Sequence, residues 1–208
     1  MSNLGARRSR ANDGFTMLEI LIAVGLIVIL AGVAVPYMNK TLRYMRLTGA
    51  ARSVANGIQD AKLRSAAKFT RARLFVDTSA NTFHLEILDT SVTPAHWTVD
   101  GGTTYLPSGV TFGFGPVTSP PVNTQPAIDQ APVCNDDNGN VIGNTGCILF
   151  NSRGIPVLDS QALGFPPTNL DGLYLTDGSE VYGVTVLPTG FIGTWHTPSA
   201  HKAAWVIS

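Results

Sequence analysis

Charge is scarce in this chain. Only 13% of its 208 residues are Asp, Glu, Lys or Arg, and the formal net charge is zero. Metal-ligating side chains are scarcer, with four histidines and two cysteines. His84, His96, His196 and His201 have no metal-site spacing with a cysteine or with one another on a predicted helix. They read as ordinary surface or half-buried residues. The sequence holds no G-x-S-x-G, no P-loop and no paired acid/base signature. Catalysis, a metal and a cofactor are therefore not expected. Asn135, Asp136, Asp137, Asn138 and Gly139 are rich in oxygen but depart from the calcium-loop pattern and lack its distal Glu, so they read as a turn. There is no internal repeat, and the 21 glycines and 13 prolines follow no period, which excludes a collagen-like chain.

The zero net charge hides a division. Residues 1–73 hold twelve basic and three acidic side chains, net +9, whereas residues 74–208 hold two basic and eleven acidic ones, net −9. Two parts of such opposite charge suggest two environments. The length has room for one domain and an extended helix.

A long apolar run follows a short polar N-terminal segment. Residues 1–14 are polar and carry Arg7, Arg8 and Arg10; residues 15–35 then contain one ionisable side chain, Glu19. As a helix those 21 residues span about 31 Å, the thickness of a bilayer core. The preceding arginines predict a cytoplasmic N-terminus. A secretory signal peptide would have a shorter core, although residues 32–34 resemble a weak cleavage site. A plain signal anchor fits the length but leaves Glu19 unexplained. A carboxylate in hydrocarbon costs roughly 2–3 kcal/mol and calls for a partner.

Gly14, Phe15 and Glu19, behind a short basic leader, resemble the type IV prepilin signature. The resemblance implies cleavage between Gly14 and Phe15 by a prepilin peptidase at the inner membrane, and methylation of the new Phe15 amine. It implies that Glu19 pairs with the amine of a neighbouring subunit during assembly. Pairing would offset the cost of both buried charges and set axial register. Pro36 fits the family as a helix-kinking position. Asp13 departs from the pattern, where a basic or neutral residue is usual.

After Pro36 the pattern becomes amphipathic. Leu47, Ala51, Val54, Ile58 and Ala61 form one helical stripe, while Lys40, Arg43, Arg46, Arg52, Lys62, Arg64 and Lys68 occupy other positions. One helix is expected over residues 16–68, weakened slightly by Gly49 and Gly57. The expected divisions are a leader at 1–14, a transmembrane and filament-core helix at 15–36, an amphipathic helix at 37–70 and a head at 71–208. The basic face reads as a solvated surface near anionic lipid rather than a nucleic-acid site, because base-stacking aromatics are few.

The head reads as eight short strands: 73–77, 82–88, 97–99, 110–114, 147–151, 173–176, 182–187 and 191–195. Pro188, Thr189 and Gly190 read as a hairpin turn. Residues 116–144 read as a long surface loop. The fold expected is α+β, with the helix laid on an antiparallel sheet. If the head is exported, Cys134 and Cys147 pair and close a loop of roughly 14 residues, worth about 3 kcal/mol; otherwise they are free thiols. The segments 147–154 and 184–190 resemble elements of the H-type pseudopilin and FimT-like minor pilin class. That resemblance implies a minor subunit of a type II secretion pseudopilus or type IV pilus in an initiating or tip complex, with other such subunits and the inner membrane as partners and the head in the periplasm. The alternative is a pilus-tip module that binds DNA or a surface. The acidic head and a tail with only Lys202, His196 and His201 argue against DNA.

Overall fold

The computed structural model describes residues 15–158, 171–197 and 204–208. Two compact units divide the chain, residues 1–42 and residues 43–208. Helix α1, Met17–Ala67, contributes to both.

In the first unit, every residue from 15 to 34 is exposed. Leu18, Leu21, Ile27, Ile29 and Leu30 are among the large apolar side chains left uncovered. The stretch is long and apolar enough to cross a membrane, by length and composition. Helix α1 continues through position 36.

In the second unit the helix buries one face. Leu47, Val54, Ile58 and Ala61 are fully buried and Ala50 and Ala51 nearly so. This is the predicted stripe with Ala50 added, and each fully buried Val, Leu or Ile contributes about 1.5–3 kcal/mol. The helix ends in a left-handed cap. Phe69 has φ 52°, its N–H donates to the Ala66 carbonyl, and the Thr70 N–H donates to the Ser65 carbonyl. The 6→1 bond with its inner partner is a Schellman ending, here with phenylalanine where glycine is usual.

The strands form two antiparallel sheets. The first contains β1 (Ala72–Asp77), β2 (Thr82–Asp89), β3 (His96–Val99), β4 (Thr104–Tyr105), β6 (Thr145–Phe150) and β7 (Pro156–Val157). Its order is β3-β2-β1-β6-β7, with β4 also pairing β2. The second contains β5 (Thr111–Phe112), β8 (Asp171–Thr176), β9 (Val181–Val186), β10 (Ile192–Thr197) and β11 (Val206–Ile207) in the order β11-β10-β9-β8-β5. The α+β reading holds, and the eight expected strands all appear with shifted ends. Two features differ from expectation. The strands divide between two sheets, and three two-residue strands (β4, β7 and β11) are added. Two residues show no alternation, so such strands carry no sequence signal.

One core joins the two sheets to the helix. Leu74, Val76, Phe83, Ile148 and Phe150 come from the first sheet, and Leu173, Leu175, Tyr182, Val184 and Val186 from the second. Strands β8 and β9 are buried along their whole length. Their other face meets Val117, Phe114, Ile128 and Trp205, where Trp205 donates its indole N–H to the Ser119 carbonyl at 2.8 Å. The 116–144 stretch therefore covers a sheet face rather than only running over the surface.

Candidate assembly and anchoring site

The start of α1 is set by Thr16. Its side-chain oxygen accepts from the Glu19 N–H at 3.2 Å, and its carbonyl accepts from the N–H groups of Glu19 and Ile20. Thr16 and Glu19 thus have the spacing of a capping box, with a carboxylate in the first turn where the helix dipole favours it. The capping role was not read from the sequence, although T-x-x-E before an apolar run was its signal. Phe15 is 80% exposed, and Glu19 is exposed. Among the described residues, the Glu19 carboxylate has no ion pair within the chain. Gly14 lies outside the described residues.

Three contacts fix the second half of α1 to the head. At one end, Thr48 and Tyr182 share a hydrogen bond at 3.0 Å between their hydroxyls. His196 packs at a tilt against Tyr182 and meets the edge of Tyr44, while its Nε2 lies 3.2 Å from Glu180 Oε2. Burial pushes the Tyr182 hydroxyl up to about 12, against the opposing pull of the Thr48 bond.

Midway, Gly57 lies against the first sheet. A Cβ there would lie 2.9 Å from Leu74 Cδ1 and 3.3 Å from Phe83 Cε2. Gly57 thus permits close approach of helix and sheet, whereas Gly49 faces open space.

At the far end, Lys62 joins turns from both sheets. Its Nζ donates to the Gly190 carbonyl at 2.8 Å. Gly190 ends the β9–β10 turn with φ 77°, and Gly154 lies in the β6–β7 turn with φ 71°. A Cβ on Gly154 would be 3.3 Å from Lys62 Cγ, and one on Gly190 would be 3.2 Å from both Lys62 Nζ and the Gly154 carbonyl. Asn151 Oδ1 shapes the first turn by accepting from the N–H groups of Arg153 and Ile155. The segments 147–154 and 184–190, singled out separately in the sequence, thus converge on one helix lysine.

Several contacts hold the 116–144 stretch. Cys134 and Cys147 form a disulfide. Arg73, 2% exposed, donates from Nε to Glu86 Oε2 at 2.6 Å and from Nη1 to the Asn135 carbonyl at 2.9 Å, with its guanidinium 4.0 Å above the Trp97 ring. His84 Nε2 lies 3.1 Å from the other Glu86 oxygen. Asp137 accepts from the Trp97 N–H at 2.7 Å. Residues 135–141 form the expected turn, bridged between Asn135 and Val141. Hydrogen bonds led by Asn140 lower the Asp136 carboxyl. Among the described residues, no group of three or more His, Cys, Asp or Glu could hold a metal ion.

Residues 9–35 match the family model of the prokaryotic N-terminal methylation motif. Among curated proteins nothing matches. Among solved structures, the chain is similar to the minor pseudopilin EpsH from the Type 2 Secretion System of Vibrio cholerae, at 11% identity over 72% of this chain and 95% of that one, with a TM-score of 0.41.

Proposed function

We propose that this chain is a type IV pilin-like subunit, a structural protein that works by polymerising through its N-terminal helix. One observation carries the reading: the methylation motif at residues 9–35 overlaps a helix whose apolar residues are exposed from 17 to 34. Such a surface is stable in lipid or among other helices, not in water. A prepilin peptidase cuts between Gly14 and Phe15 and the Phe15 amine is methylated. The subunit waits in the inner membrane with its head in the periplasm, an oxidising compartment that suits the Cys134–Cys147 disulfide. Glu19, without an ion-pair partner among the described residues, then pairs with the amine of a neighbour. The segments 147–154 and 184–190, which resemble elements of the H-type class, favour a minor subunit of a type II secretion pseudopilus or a type IV pilus.

The test is Glu19→Ala in a strain that assembles filaments. The leader should still be removed, seen as the mass of the mature chain, while the variant stays in the membrane fraction and is absent from sheared filaments. Normal incorporation would sink the assigned role of Glu19.

A further inference from the structure

The region just beyond the apolar stretch has a marked charge pattern. Between Glu19 and Asp60 there is no acidic residue, while Lys40, Arg43, Arg46 and Arg52 are all present and exposed. Arg43 and Arg46, three apart on one helix face, line a cleft of about 260 Å³. Its other walls are Ser108, Gly109, Val110 and Asp177. The Ser108–Gly109 turn is closed by the Val110 N–H on the Pro107 carbonyl, with Gly109 at φ 85°. Asp177 forms no ion pair with either arginine, so its single carboxylate leaves the two-arginine cleft cationic by about one charge. Its Oδ1 accepts from the Ser179 N–H, the Ser179 hydroxyl and the Glu180 N–H. Among the described residues, neither arginine has an ion-pair partner.

We infer that Arg43, Arg46 and the Ser108–Gly109 turn form a seat for the headgroup of an anionic phospholipid in the periplasmic leaflet. The inference rests on the membrane placement proposed above. Arg43 follows the last residue of the apolar stretch, Val35, by eight positions. A helix of that length rises about 12 Å, and even a fully extended chain reaches under about 30 Å, so the arginines stay near the bilayer surface. A cationic cleft tethered there meets lipid phosphate at high local concentration. Seating would hold the head at a fixed height before assembly.

The test uses the full chain in neutral detergent, followed by native mass spectrometry with added phosphatidylglycerol or phosphatidylcholine. Phosphatidylglycerol should be retained roughly 10- to 30-fold better, the effect of about two basic residues at an anionic surface. Arg43→Gln with Arg46→Gln should abolish the preference without moving the thermal midpoint of the head, while Arg52→Gln, which does not line the cleft, should keep it. Inorganic phosphate should compete no better than chloride at equal ionic strength. Equal retention of both lipids, a preference that survives the double variant, or displacement by phosphate alone would overturn the inference. So would loss of association between copies of the chain with lipid preference intact, which would assign the face to a subunit contact. Carbonate extraction of membranes tests the membrane placement separately.

Discussion

The two stretches of α1 have the same backbone and opposite surfaces. Up to Leu42 the described side chains are exposed, although they are the most apolar in the protein. From Leu47 to Ala61 an apolar stripe is buried, although Arg52, Asp60 and uncharged polar residues are interleaved with it. Apolar content alone therefore does not decide burial within one chain. The first stretch is apolar on every side, which no single protein face can cover; the second has one apolar face and shares a core with both sheets. A helix apolar all round needs a surrounding medium, lipid or other helices.

Substitutions on the two sides should separate cleanly. The largest effect is expected from Glu86→Ala. It removes the Glu86 carboxylate from the buried Arg73 guanidinium, a loss of about 3–5 kcal/mol, seen as a large drop in the head's thermal midpoint. Membrane fractionation should not change. A next, slightly smaller effect runs the other way. Leu26→Lys places a charge near the middle of the apolar stretch at roughly 2.5–3.5 kcal/mol. Carbonate should then extract more protein, while the head melts as before. A drop in head stability would show that the two units are coupled.

The smallest effects compare two glycines of the same helix. Gly49→Ala faces open space and should stabilise by about 0.5–1 kcal/mol through helix propensity. Gly57→Ala gains the same propensity but drives a methyl into Leu74 and Phe83, an overpacking cost of about 1–3 kcal/mol. Denaturant midpoints that rise for Gly49→Ala and fall for Gly57→Ala would place the sheet contact at Gly57. A rise for both would mean that Leu74 moves aside without cost.

The sequence was most legible where the pattern was long. The helix was expected over residues 16–68 and is Met17–Ala67, because an apolar run is followed by a stripe that repeats through about four turns. It was least legible where partners are distant in sequence. Arg73 looked like the opening of a strand, yet it is buried beneath Trp97 and tied to Asn135, 62 residues away. Phe69, as the left-handed end of the helix, gave no signal, since glycine is the usual occupant.

By itself, the sequence determined the apolar stretch, its single carboxylate, the motif around Gly14 and Phe15, and the helix stripe. Each depends on spacing along one chain, and spacing is what a sequence records. Tertiary structure alone decided that the strands divide into two sheets, that Gly57 is a contact and Gly49 is not, and that Gly154 and Gly190 meet on Lys62. Those outcomes depend on which surfaces come within a few ångströms of one another. That is settled by packing the whole core at once, not by any local run of residues.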